Sequence, residues 1–275
     1  MSDHTIIVSG GFDDLRAEQI LFLHQAAQLG PLWVVLWSDE AIQSLTRHPP
    51  KFPLSERKYL LESIRFVNRV IISPGPNEPH ELPVYDYTFQ TVWVLPVAEA
   101  SPEKEAYCRR RALGYRVLDA AEWCGFPEVM QDPATASRDR KKVIVTGCYD
   151  WLHSGHVRFF EEVSELGDLY VVVGHDANIR LLKGEGHPMF PQEHRRYMCQ
   201  AIRFVTQALI SSGEGWLDAE PEIKRIRPDM YAVNEDGDRP EKRNYCNAHG
   251  IEYRVLKRLP KEGLPSRQST VLRGF

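Results

Sequence analysis

Apolar runs of strand length alternate along this chain with longer mixed stretches that read as helices, and the runs lack the every-other-residue polarity of a half-exposed sheet. Strands without that alternation are buried on both faces, which predicts parallel sheet covered by helices, an α/β architecture. In the C-terminal half the pattern predicts strands near 142–146, 169–174, 207–210, 229–233 and 252–256, and helices near 155–166, 191–203, 219–226 and 239–249, with a short one after 268. The longest apolar runs, such as Leu32 to Trp37 and Leu169 to Gly174, are too short to span a bilayer, so no membrane insertion is expected. Ligands of such sheets bind beyond the carboxyl ends of the strands at the topological switch point, which directs attention to the turn after the first strand of each half.

The two halves are copies. Thr5-Ile-Ile-Val-Ser-Gly-Gly-Phe-Asp13 lies over Val143-Ile-Val-Thr-Gly-Cys-Tyr-Asp150, and the offset of 137 residues between Asp13 and Asp150 holds through Asp39 and Asp176. One inserted residue shifts the offset to 138, after which Phe52 meets Phe190, Ile64-Arg-Phe-Val67 meets Ile202-Arg-Phe-Val205, and Tyr115-Arg-Val-Leu118 meets Tyr253-Arg-Val-Leu256. A register held over so long a span marks a tandem duplication. The expected organisation is a first unit over 1–122, a polar, Pro-punctuated linker over 123–140, and a second unit over 141–275.

The copies differ where chemistry is expected. The second contains Val143-Ile-Val-Thr-Gly-Cys-Tyr-Asp-Trp-Leu-His153-Ser-Gly-His156, a strand, a Gly-containing turn and two histidines where a helix starts. A helix start offers unpaired N–H groups and partial positive charge, so it favours phosphate. In the first copy His153 is replaced by Arg16, Gly155 by Glu18, His156 by Gln19 and Lys183 by Thr46. Asn234, Asp236 and Asp238 face Pro96, Ala98 and Ala100, and Ser269 and Thr270 have no counterpart. Residues the fold demands persist in both copies; those lost from one are candidates for function, and the first copy is read as inactive.

Composition adds exclusions. A 275-residue chain with 43% hydrophobic and 26% charged residues has the make-up of a soluble globular protein with two full cores. A net charge of −4 argues against a general nucleic-acid surface. The polar start at Met1 predicts no signal peptide, and five scattered cysteines without a C-x-x-C pair fit neither a disulfide scaffold nor a zinc site, so a cytoplasmic protein is expected. Cys148 reads as a small side chain in a tight turn rather than a nucleophile, and His175, His187, His194 and His249 as surface or loop residues. Trp33, Trp93, Trp123 and Phe204 read as core or interface, while Trp151 and Trp216 are candidates for substrate contact.

The segments GCYDWLHSGH, KGEGHPMFPQEHR and SRQSTVLR together resemble the HxGH-motif nucleotidyltransferase superfamily, and within it the cytidylyltransferases acting on glycerol 3-phosphate and phosphoethanolamine. The resemblance is strong from about 142 to the C-terminus and degenerate in the first copy, and it implies two tandem Rossmann-like domains. The implied reaction is attack by a substrate phosphate on the α-phosphorus of a nucleoside triphosphate with loss of pyrophosphate, where the protein aligns two polyanions and neutralises developing charge. By this resemblance His153, His156 and Lys183, the last in a Gly-flanked loop, are the catalytic residues. Gly147, Cys148, Tyr149, Gly155, Asn234, Asp236, Asp238, Ser269 and Thr270 would bind nucleotide, with Gly155 letting phosphate approach the backbone. Arg195, Arg258 and Arg273 are candidate phosphate contacts, although Arg195 keeps a partner, Arg57, in the silent copy and so also reads as a structural ion pair. Mg²⁺ is expected to accompany the triphosphate, held by phosphate oxygens, with no protein metal site.

The expected activity is therefore transfer of CMP from CTP to a small phosphate or phosphonate monoester. The alternative is an adenylyltransferase using ATP, because K-G-x-x-x-P followed by P-x-x-x-R also resembles heptose-phosphate adenylyltransferases. A non-catalytic nucleotide sensor or scaffold is a reading of another class. The IRFV segment, kept in both copies, lies where members of this family commonly dimerise, which predicts an internal pseudo-dimer, with pairing of whole chains left open.

Overall fold

The computed structural model describes residues 4–119, 125–127 and 139–272 of the chain. Two compact units are present, Met1–Gly125 and Phe126–Phe275. Most of the expected linker, including Trp123 and Cys124, lies outside the described residues, as does Arg273.

The first unit runs β1 (Thr5–Gly10), α1 (Ala17–Ala27), β2 (Leu32–Trp37), α2 (Asp39–Thr46), α3 (Leu54–Ser63), β3 (Val67–Ser73), β4 (Thr91–Pro96), α4 (Pro102–Arg110) and β5 (Gly114–Leu118). The second runs β6 (Lys142–Gly147), α5 (Ser154–Leu166), β7 (Asp168–Val173), α6 (Asp176–Lys183), α7 (Gln192–Gln200), β8 (Val205–Ile210), α8 (Glu220–Ile226), β9 (Met230–Asn234), α9 (Pro240–Ala248), β10 (Glu252–Leu256) and α10 (Ser269–Leu272). Each unit holds a five-stranded sheet of one topology, β3-β2-β1-β4-β5 in the first and β8-β7-β6-β9-β10 in the second. Every recorded strand pairing is parallel, so both units are Rossmann-like α/β folds. The interior strands β2 and β7 carry Val34, Val35, Val171 and Val172 almost wholly buried, as the continuous apolar runs predict.

Two polar knots recur in both units and explain residues that the copies share. Arg57 donates to the carbonyls of Phe52 (3.0 Å), Gly11 (2.6 Å) and Trp37 (2.9 Å) and to Asp39 (2.6 Å). Arg195 repeats this on Phe190 (2.9 Å), Cys148 (2.5 Å), Gly174 (2.7 Å) and Asp176 (2.7 Å). Likewise Asp13 accepts the N–H groups of Lys51 and Phe52, and Asp150 those of Met189 and Phe190. Each buried guanidinium ties the loop after the first strand to the start of the α2 or α6 helix and to the loop before the following helix. Such a group is tolerated because its donors are met; stripped of them it would be costly.

The largest divergence in secondary structure follows β3 and β8. Residues 74–90 of the first unit form an irregular loop, whereas the equivalent stretch of the second contains a 3₁₀ turn at 215–217 and α8. Pro74, Pro76, Pro79 and Pro83 account for this, since each removes a backbone donor and clashes with a preceding helical turn. Among the described residues no helix is long and apolar enough to cross a membrane.

Candidate active site

At the carboxyl end of β6, between its neighbours β7 and β9, the second unit opens a cavity of about 870 Å³. This is the switch point of the sheet. Its floor is the β6–α5 turn. Gly147 sits there because a Cβ would come within 2.9 Å of the Tyr149 ring, and Tyr149 adopts the left-handed φ of 50° that turns the chain toward α5. The buried Tyr149 ring packs edge-on against His156 (5.4 Å, 73°) and against Phe160, and burial keeps its hydroxyl well above the usual tyrosine range. Tyr149 thus shapes the site through the ring of His156.

His153 caps α5. Its Nδ1 accepts the N–H of Gly155 at 3.1 Å, and its ring stacks on that of His156 with centroids 4.0 Å apart. A neutral imidazole that accepts at Nδ1 carries its proton on Nε2. Among the described residues that Nε2 is buried without a hydrogen-bond partner, and so is Nδ1 of His156. Burial, then the adjoining His156, then Arg258 and Arg267 hold His153 far below the ordinary histidine range. Burial, followed by Arg258 and Lys183, lowers His156 to about 3, against the opposing pull of the Trp151 backbone. Both rings are therefore neutral at pH 7; His153 keeps an unspent Nε2–H donor, whereas His156 is engaged by the Trp151 backbone. Gly155 serves this pair directly: a Cβ there would stand 3.0 Å from the His153 ring. It also lines the cavity, as the expected close approach of phosphate requires.

The cavity brings together most of the residues singled out from sequence. Gly147, Cys148, Tyr149, Gly155, His156 and Lys183 line it from the β6 and β7 side, and Asn234, Asp236, Arg258 and Ser269 from the β9 and C-terminal side. Ser269 opens α10 and reaches the Trp151 carbonyl at 3.4 Å. Thr270 is the second residue of α10, and its side chain lies outside the described residues. Cys148 has a pKa raised by burial, in keeping with a small turn residue rather than a nucleophile.

Several placements differ from expectation. Lys183 is the last residue of α6, not a loop residue; Gly184, at φ 84°, ends the helix behind it and leaves the side chain exposed at the cavity. The Gly-x-Gly spacing conceals this helix, which His175 starts by accepting the Asn178 N–H. His175 also bonds the Gly213 carbonyl (2.8 Å), so it is a structural cap rather than a surface residue, and His187 lines the cavity. Arg195 is 1% exposed with its donors spent on the knot described above, so it holds the turn and does not face the cavity. Asp238 points to Arg243 and to the Tyr253 hydroxyl (3.1 Å), away from the cavity lining. Arg258 pairs with Asp236 and donates to the Arg267 carbonyl (3.0 Å), bridging the β9 end and the segment that leads to α10. Trp151 is buried edge-on against Phe190, whereas Trp216 is 52% exposed on the cavity wall. Phe159, Leu182, Arg239 and Lys242 line the cavity and carry no signal in the motifs. Of these, Arg239 was detectable, because its counterpart Ser101 is a helix cap in the first unit.

A parallel sheet whose switch point holds two neutral imidazoles at a helix start, flanked by lysine and arginine, has the donors and positive charge that suit a phosphoryl-bearing ligand. Comparison with known proteins agrees. Residues 144–245 match the family described as Cytidylyltransferase-like. The FAD synthase of Ferroglobus placidus is 36% identical over 125 residues, which cover 44% of this chain and 78% of that protein. The FAD synthase of Pyrococcus horikoshii is 43% identical over 103 residues, covering 36% of this chain and 67% of that protein. The bifunctional protein HldE of Campylobacter concisus is 36% identical over 103 residues, covering 37% of this chain and 21% of that protein. The chain belongs to the cytidylyltransferase-like family of nucleotidyltransferases.

Proposed function

We propose that the second unit transfers AMP from ATP to a small phosphorylated acceptor and releases pyrophosphate. The observation that carries this reading is the stacked pair His153 and His156, neutral and each with one buried ring nitrogen unmet among the described residues, where His156 lines the switch-point cavity and His153 stands wholly buried behind it. A buried donor left unmet costs about 1–3 kcal/mol, so such a pair is kept where a ligand oxygen meets it. Phosphate oxygens suit the His153 N–H, because a neutral donor stabilises the charge that grows as the five-coordinate phosphorus forms without giving up or taking a proton. Lys183 and Arg258 supply full positive charge from either side of the same cavity, and Ser269 a hydroxyl. No covalent intermediate is required: the acceptor phosphate attacks the α-phosphorus, a P–O bond forms, and pyrophosphate leaves with the electron pair of the broken anhydride bond.

ATP is favoured over the CTP expected from the motifs, because FAD synthases stand among the curated relatives and FAD carries an adenylate half. The description Cytidylyltransferase-like keeps CTP as the second reading. Mg²⁺ is the companion this reading calls for, held by oxygens of the triphosphate. The test is pyrophosphate release by the full chain with Mg²⁺, either nucleotide, and a panel of acceptors spanning flavin mononucleotide, sugar phosphates, glycerol phosphate and phosphoethanolamine. Release with ATP and not CTP is expected. Release with CTP alone restores the cytidylyl reading, and none with either nucleotide refutes transfer.

A further inference from the structure

The cavity has a second cationic wall that the family motifs do not contain. Helix α9 opens at Pro240 with Arg239 in the cap position and no side-chain cap. Its counterpart α4 opens at Pro102 behind Ser101, whose hydroxyl accepts the Lys104 N–H at 3.3 Å. The second unit has thus given up a capping serine for a cation at the end of a helix dipole that disfavours cations. A local rule broken in one copy and kept in the other marks a position selected for something besides folding.

The lysine that follows tells the same story. Lys104 donates to the Glu99 carbonyl at 2.8 Å, over the Trp93 ring. Lys242 stands over the equivalent Tyr231 ring, yet its Nζ is 3.5 Å from the equivalent Gly237 carbonyl. The ammonium that the first unit ties to backbone is loosened in the second and lines the cavity, as does Arg239. Neither makes an ion pair with a carboxylate among the described residues. The two aspartates of the preceding segment are engaged elsewhere, Asp236 with Arg258 and Asp238 with Arg243. Burial, then Arg239, depresses the pKa of Lys242 against the weaker opposing pull of Asp218, Cys246 and Asp236, as befits a cation held off water and beside a second cation.

We propose that Arg239 and Lys242 form a subsite for a phosphoryl anion on the β9 side of the cavity, across the switch point from Lys183. The reaction must hold two phosphoryl-bearing reactants together against their repulsion, and cations on both flanks of the histidine turn do this. The identity of that anion as a reaction partner rests on the nucleotidyl-transfer reading; its binding does not. Two sources offer the same chemistry, the triphosphate and the acceptor phosphate.

The test is calorimetric titration of the full chain with tripolyphosphate and, separately, with inorganic phosphate. Lys242→Met is expected to weaken binding of one or both at least tenfold, Arg239→Ser to weaken the same anion, and Lys242→Arg to retain it. Arg239→Ser restores a cap, so it is expected to melt no lower than the wild type, and its melting temperature separates lost binding from lost folding. Lys104→Met, the equivalent change in the first unit, is expected to alter neither titration. Loss confined to tripolyphosphate assigns the subsite to the nucleotide; loss confined to phosphate assigns it to the acceptor. The proposal is overturned if the wild type binds neither anion, if Lys242→Met binds both as the wild type does, or if Lys104→Met weakens them equally. Intact anion binding without pyrophosphate release would sink the transfer reading and leave this subsite standing.

Discussion

The two units keep one fold and differ in what stands at the start of the helix after the first strand. In the second unit that helix begins with the stacked pair His153 and His156, each with one ring nitrogen unmet among the described residues. In the first it begins with Arg16, whose guanidinium is paired with Asp14 at 2.6 Å, and Lys51 joins the same carboxylate at 3.1 Å. The position that awaits an anion in one unit is neutralised by the protein's own carboxylate in the other. Meanwhile the Arg57 and Arg195 knots match bond for bond. The pairing therefore separates, within one chain, groups that hold the turn from groups that address a ligand.

That separation can be broken by substitution. The largest effect is expected at the histidines: His153→Ala or His156→Ala lowers nucleotidyl transfer about 100–1000-fold, the range for losing one preorganised donor, while Arg16→Ala in the first unit leaves the rate unchanged. Pyrophosphate-release kinetics on folded variants check this, and an equal loss with Arg16→Ala would erase the distinction between the units. The next effect falls on stability and is symmetric. Arg57→Met and Arg195→Met each leave Asp39 or Asp176 without its partner, and each is expected to cost its own unit about 3 kcal/mol in urea unfolding. A cost at Arg57 without one at Arg195 would show that Arg195 is spared for ligand.

Acid sharpens the comparison further. His156 in the second unit and His24 in the first, stacked on Phe66 at 3.9 Å, have folded pKa values lowered from 6.5 to about 3 and about 4, by burial first and then by cationic neighbours. Below 6.5 the unfolded chain takes up protons that the folded rings refuse, so stability falls as pH drops from 6.5 toward those values and is flat with respect to these groups above 6.5. Urea unfolding against pH is expected to lessen this slope in the second unit with His156→Gln, where His153, lowered by the same burial, supplies the rest, and to lose it in the first with His24→Phe. The smallest effect is at the caps: Ser101→Ala is expected to destabilise the first unit by about 1 kcal/mol, whereas Arg239→Ser stabilises the second slightly. Differential melting of the two variants decides it; a destabilised Arg239→Ser would mean that the arginine serves the fold.

Much of this was legible in the chain because the duplication supplies its own control. Unbroken apolar runs predicted buried parallel strands, and losses at Arg16, Glu18 and Gln19 pointed to the turn where the cavity lies. What stayed hidden depends on side-chain direction and loop path. Lys183 reads as a loop residue because Gly184 and Gly186 follow it, although His175 caps a helix that carries the lysine to the cavity. Asp238 is sequence-adjacent to the site yet turned to Arg243, and Trp151, inside the motif, is packed against Phe190 while Trp216 faces the cavity from a different segment. Lys242 escapes notice because Lys104 persists in the first unit; only the loosened contact to Gly237 distinguishes them.

In the proposed function one unit binds nucleotide, and the other has filled that place with its own ion pair. Calorimetric titration of the full chain with ATP and Mg²⁺ tests it in a single number, the stoichiometry. One nucleotide per chain is expected, lost in His156→Ala and retained in Arg16→Ala. Two per chain, or one that survives His156→Ala, would contradict it.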